Sequence, residues 1–204
     1  MTTTIIGRIA ALLMVAVLGG IIGAAATQRD DPSPLLSALD IGFAQDMSAH
    51  HQQAITLSDM LTADAAGDVR ALAEQIRFTQ LNEIGQMTGW LQLAGAAPSS
   101  ATPMAWMHGH HDHTMLAAAM PGMATPADLI RLQRATGTAN ETLYLQLMLR
   151  HHQGGIDMAA HAAQHTSTDI VRRAAALMVA DQTQEIQIMT IMLTQRRARP
   201  LSYP

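Results

Sequence analysis

A histidine phrase that occurs twice constrains this chain more than anything else in it. Met47-Ser-Ala-His50-His51-Gln52-Gln-Ala-Ile55 returns 101 residues later as Met148-Leu-Arg-His151-His152-Gln153-Gly-Gly-Ile156. Phe43 stands four residues before the first Met, and Tyr144 four before the second. On a helix, positions i, i+3 and i+4 share a face. Met47, His50, His51 and Ala54 therefore form one patch, and Met148, His151, His152 and Gly155 another. A second phrase repeats as well. Gln80-Leu-Asn-Glu83-Ile84-Gly-Gln-Met87 returns as Gln182-Thr-Gln-Glu185-Ile186-Gln-Ile-Met189, now 102 residues on. The unit is an α-hairpin duplicated in tandem, and two such hairpins bury their apolar faces against each other as a four-helix bundle.

Composition agrees with helices. Aromatic residues make up only 3% of the 204, so the core must be built from Ala, Leu, Ile and Met, which suits close-packed helices better than sheets. The spacing predicts a first helix from about 35 to 66, with Gly67 at its C′ position and Asp68 capping the next. The second covers about 69 to 93. A Pro-containing loop, 95–103, leads into a Met/His segment at 104–123. Thr125-Pro126-Ala-Asp128 reads as a helix start, with a cap, Pro at N1 and an acid in the first turn. That short helix should end at Gly137. A third long helix covers about 139 to 164, and Ser167 or Thr168 caps a fourth reaching about 196. The domain organisation expected is a segment 1–27, a polar linker 28–34, and a bundle 35–199. The bundle comprises a hairpin 35–94, an insert 95–138 and a hairpin 139–199.

The N-terminus indicates export. Arg8 is followed by an uncharged apolar run, Ile9 to Ala26, that ends in Ala24-Ala25-Ala26. This is the pattern of a secretory signal with a small-residue cleavage site. The run is also nearly long enough to span a bilayer, so an uncleaved membrane anchor is the rival. In either case Arg8 stays on the cytoplasmic side and the globular part lies beyond the membrane.

The soft-ligand chemistry falls to Met and His, because the chain has no cysteine and hence neither disulfides nor thiolate sites. Met47, His50, His51, Met148, His151 and His152 are the first candidates, as helix faces that preorganise their ligands. Met158 lies farther along the third long helix, with His161 and His165 on a neighbouring stripe. The insert adds Met104, Met107, His108, His110, His111, His113, Met115, Met120 and Met123 in twenty residues, an adaptable metal-collecting segment rather than a fixed site. Thioether and imidazole together suit Cu(I), and imidazole also accepts Cu(II). Glu83 and Glu185 can each hold an imidazole N–H from behind a metal, or act as oxygen ligands themselves. For any one of these side chains the alternative is an ordinary packing role. Two matched His-His pairs in a duplicated unit favour a site, since a bundle core seldom satisfies four imidazoles without partners.

Four motifs together resemble the domain-of-unknown-function family numbered 305. They are Phe43-x-x-x-Met47-x-x-His50-His51-x-x-Ala54, Gln80-x-x-Glu83-Ile84-x-x-Met87-x-x-Trp90-Leu91, Met120-Pro-Gly-Met123 and Met148-x-x-His151-His152. The resemblance covers about residues 36 to 195. It implies an exported or membrane-tethered protein with a ferritin-like four-helix bundle, and for several members copper binding and copper tolerance through Met and His. The chain departs from the pattern at Asn140-Glu141, where Phe-Asp is common, and at Gly154-Gly155, where Ala is usual.

The function expected is extracytoplasmic copper sequestration, storage or transfer, with a metal ion as partner. One rival is a di-metal oxidase, but such sites use Glu on two helices and Glu-x-x-His on the others, and no Glu-x-x-His occurs here. The other rival is an assembly partner of a membrane complex. The twelve basic residues are all Arg against sixteen acidic ones, and no basic patch points to nucleic acid. Metal binding is expected to weaken as pH falls through the ordinary imidazole range.

Overall fold

The computed structural model describes residues 35–108 and 120–203. Residues 1–34, which carry the signal or anchor reading, and 109–119, which carry His110, His111, His113 and Met115, lie outside the described set. The described residues form six helices and no strand: α1 (Ala38–Asp59), α2 (Gly67–Leu93), α3 (Ala105–His108), α4 (Pro126–Arg134), α5 (Gly137–His165) and α6 (Asp169–Gln195). None of these helices is long and apolar enough to cross a membrane. The four long helices pair as two hairpins, α1 with α2 and α5 with α6, and the hairpins join through α1 against α5.

The helix starts are set by local chemistry. Ser37 caps α1 in a box with Asp40, each satisfying a backbone N–H the helix would otherwise leave open. The buried Asp40 carboxylate also accepts from Thr166 and, at 2.6 Å, from Thr168. The start of α1 is thereby tied to the α5–α6 connection. Burial would raise the Asp40 pKa, but the bonds from Thr166, Thr168 and Ser37 hold it below the usual value. Thr125 caps α4 in the same way with Asp128, and Pro126 opens the helix, as the sequence predicts.

Three boundaries differ from expectation. α1 stops at Asp59, because residues 60–66 form turns instead of a last helical turn. Gly67 is the first residue of α2 and Ala66 its N-cap, with no side-chain bond. Gly137 likewise opens α5 rather than ending α4, which stops at Arg134. The physical reason lies in Asn140 and Glu141, which hold the 60–66 turn from the side. Asn140 accepts from the Thr62 N–H at 3.0 Å and donates to the carbonyls of Met60 and Leu132. Glu141 accepts the Ala66 N–H at 2.9 Å and pairs with Arg196. The caps are supplied from a distant helix, so no local cap signal exists to be read.

The core falls into two apolar clusters. One gathers Ala54 and Leu57 of α1, Val69 to Ile76 of α2, Leu143 to Leu149 of α5, and Met189 and Leu193 of α6. The other gathers Phe43 to Met47, Met87 and Leu91, Met158 to Ala162, and Val171 to Met178. On every long helix the residues between the two clusters include a polar pair.

Candidate metal centre

The polar pairs are His50 and His51 on α1, Gln80 and Glu83 on α2, His151 and His152 on α5, and Gln182 and Glu185 on α6. Each lies between the residues its helix gives to the two clusters, so a polar layer divides the core. The duplicated phrases meet in that layer. The four histidines are 0–1% exposed. His50 and His151 lie against each other, with ring centroids 3.8 Å apart and planes tilted by 32°. His51 and His152 flank them at 6.4 and 6.2 Å from their helix neighbours.

Each imidazole presents Nε2 to an acceptor. His50 Nε2 donates to the Pro121 carbonyl at 3.0 Å, and His151 Nε2 to the His50 carbonyl at 3.0 Å. His152 Nε2 donates to Glu185 Oε2 at 2.7 Å. His51 Nε2 lies 2.7 Å from Glu83 Oε2, but its N–H points too far off the line for a hydrogen bond and the nitrogen stays unbonded. A carbonyl or carboxylate facing Nε2 selects the tautomer with the proton there, which puts the lone pair on Nδ1. All four Nδ1 atoms are buried with no hydrogen-bond partner among the described residues. The layer thus holds four imidazole lone pairs backed by two carboxylates and two carbonyls, the arrangement in which an outer acceptor orients a metal-binding His. Burial, together with the charge of neighbouring imidazoles, lowers the His50 pKa to about 3 despite the bond to Pro121. The same causes put His151 well below the usual value. Both rings are neutral, as ligation requires.

The thioethers divide between the two sides of the layer. Met148 belongs to one apolar cluster, and Met47, Met158 and Met104 to the other, all fully buried. Met107 and Met120 pack on the second cluster half-buried, and Met123 is also half-buried. His161 and His165 stand apart from the layer. Their rings stack at 4.1 Å, and His161 meets Trp106 edge-on at 5.5 Å. His108 ends α3. Among the described residues no three His, Asp or Glu side chains converge as a metal's ligand set, so a fuller set needs other donors, and thioethers lie on both sides of the layer.

Several residues shape the centre in ways not read from sequence. Gln53 clamps the 120–124 segment by a reciprocal pair of bonds with Ala124, at 3.0 and 2.6 Å. Gly154, its counterpart in the second phrase, makes room for that segment. A Cβ on Gly154 would lie inside the Pro121 carbonyl and 2.7 Å from the Gly122 nitrogen. Gly122 itself has φ +74° and a Cβ there would collide with the Arg150 carbonyl. The one point where the two phrases read Gln against Gly is the point where the loop crosses, and that difference was the available signal. Asp46 binds the Met104 N–H at 2.6 Å and the Trp106 indole at 2.9 Å. Burial still raises its pKa against both bonds. Gln80 and Gln182 carry buried amide atoms with no partner among the described residues, and Gln182 rests on the bare Cα face of Gly155.

The family profile of "Domain of unknown function (DUF305)" matches residues 40–193. The chain belongs to the DUF305 family. A DUF305 protein from Streptomyces coelicolor, predicted to be secreted, is 38% identical, with 81% of this chain and 98% of that one covered at a TM-score of 0.74. CopM in its Cu(I)-bound form is 25% identical, covering 76% and 96% of the two chains at a TM-score of 0.60. In its Cu(II)-bound form the identity is 26%, over 76% and 96%, at 0.59. A search of the curated proteins finds no match. The all-helical bundle expected from the duplicated hairpin is therefore that of a DUF305 protein.

Proposed function

We propose that this DUF305 protein binds copper outside the cytoplasm, to sequester, store or pass on the ion, with the histidine layer as its main site. The observation that carries this reading is the set of four buried Nδ1 lone pairs without partners among the described residues. A buried polar atom left unpaired costs about 1–3 kcal/mol. A bundle core avoids that cost with leucine, whereas metal ions that take up the lone pairs, with other donors completing each set, remove it. Met47 and Met148, each one turn before a His pair, supply thioethers for a soft ion, which favours Cu(I) while the imidazoles also accept Cu(II). Glu185 orients His152 from behind through an aligned bond, and Glu83 stands 2.7 Å from His51 Nε2. Met158, Met104, Met107, Met120 and Met123, with His108, His110, His111 and His113, extend the thioether and imidazole supply toward the insert. His161 and His165 form a station near the surface. Copper-bound CopM supports the choice of metal. The Streptomyces relative and the apolar run 9–26 support export, with that run either cleaved or kept as a tether.

The test is copper bound per chain, by elemental analysis after titration with Cu(I), Cu(II) and Zn(II). Cu(I) should bind more tightly than Zn(II). Replacing His151 and His152 together by Ala should remove more copper than replacing any single residue of the insert. Full copper uptake by that double variant overturns the assignment.

A further inference from the structure

The four imidazoles are sealed from solvent, so an ion bound among them must pass between helices. α2 and α6 leave a groove of about 470 Å³ between them. A water molecule's share of the liquid is about 30 Å³, so the groove admits a hydrated ion. Its walls include Phe78 and Trp90 of α2 and Leu177 of α6. Glu83 and Asp181 give it two carboxylates, against Arg173 as the only cation among the lining residues. Asp181 also feels the charges of both Glu83 and Glu185, so the three acids form one negative region.

Glu83 links this groove to the layer. It lines the groove, its side chain is 14% exposed, and its Oε2 lies 2.7 Å from the buried His51 Nε2. Its counterpart Glu185 does not line the groove, is 4% exposed, and holds His152 by an aligned bond. His51 Nε2 has no such bond. The duplicated halves therefore differ here: one carboxylate is sealed in place, and the other faces open space with a bent contact behind it.

We propose that the α2–α6 groove is the port by which the cargo cation reaches the histidine layer, with Glu83 receiving the ion and delivering it beside His51. The inference rests on the copper-binding reading. An acidic cleft with low-dielectric walls concentrates cations and raises their association rate by about 10–10³-fold, an effect that salt suppresses.

The experiment follows Cu(I) transfer from a chromophoric chelator to the full chain by stopped flow, alongside equilibrium affinity. Asp181→Arg should slow loading at least about tenfold at low salt, with the deficit shrinking as salt is raised. Glu74→Arg, the same charge change at an exposed α2 position outside the groove, should leave the rate within about twofold. Ala174→Trp, which fills the groove, should slow loading at every salt concentration. Equilibrium affinity should stay within about threefold for all three variants, because none removes a ligand. If the His151/His152 double variant loses copper but Asp181→Arg and Ala174→Trp load at the wild-type rate, the port lies elsewhere and the inference falls. If the double variant keeps its copper, it is the binding reading that fails.

Discussion

His151 donates its Nε2 proton to the main-chain carbonyl of His50 while the two rings lie 3.8 Å apart. One residue of the second phrase thus reads the backbone of its own counterpart in the first. A helix carbonyl at position 50 is ordinarily spent on the N–H four residues on, and here it serves a second donor from the facing helix. The bond joins the two hairpins at the polar layer, and it fixes the tautomer that leaves Nδ1 of His151 bare.

The metal-free protein should lose stability as pH falls below about 6.5. In the unfolded chain these imidazoles titrate near the ordinary value of 6.5, whereas His50 in the fold resists protonation to about 3 and His151 is likewise depressed. Between those limits the unfolded state binds more protons, so folding free energy declines with acidification and is unaffected by these groups above about pH 7. The slope is about 1.4 kcal/mol per pH unit for each fully depressed histidine. Urea unfolding at pH 7, 6 and 5, above most of the carboxylate range, measures it; a flat profile would contradict neutral buried rings. The same depression changes the expectation for copper. His50, neutral down to about pH 3, and His151, likewise depressed, do not release an ion at the ordinary imidazole pKa, so copper held by that pair should stay bound through pH 6 and leave when the fold does.

The glycines divide by what a methyl group would meet. Gly154→Ala drives a Cβ into the Pro121 carbonyl, so the 120–124 segment must lift from α5 and His50 loses its acceptor. The expected loss is about 1–3 kcal/mol. Gly155→Ala meets only the end of the Gln182 side chain and should cost less. Gly85→Ala and Gly89→Ala, on the α2 surface with nothing within 4 Å, should each stabilise by up to about 1 kcal/mol from helix propensity. Thermal unfolding of the four variants gives the order, and a Gly154→Ala protein as stable as Gly155→Ala would remove the packing role assigned to position 154.

The duplicated hairpin was legible because periodicity and repetition are local signals: Met47, His50 and His51 share a face whatever packs against it. The pairing of the Glu residues with the histidines was legible for the same reason, since Gln80–Glu83 and Gln182–Glu185 repeat with nearly the offset of the histidine phrases. What stayed hidden depends on contacts across the fold. Ala66 carries no cap signal because Glu141, on another helix, accepts its N–H. The Pro121 carbonyl that orients His50 is 71 residues away in sequence. The family departure at Asn140-Glu141 is visible in sequence but its role is not: both residues replace caps that the 60–66 turn lacks.

Two buried amides should respond to substitution with opposite signs. Asn140 is fully buried, and its side chain bonds the Thr62 N–H and the carbonyls of Met60 and Leu132. Asn140→Ala strands those three backbone groups and should cost roughly 2–3 kcal/mol. Gln182 is 3% exposed, yet neither atom of its amide has a partner among the described residues. Gln182→Met keeps the length and nearly the volume while removing two unpaired polar atoms. It should leave the metal-free protein as stable as wild type or more stable by about 1 kcal/mol. Denaturant unfolding of both variants without metal decides the pair. A Gln182→Met protein as weakened as Asn140→Ala would mean that the amide is satisfied within the layer by bound water, and that the layer is hydrated before any ion enters it.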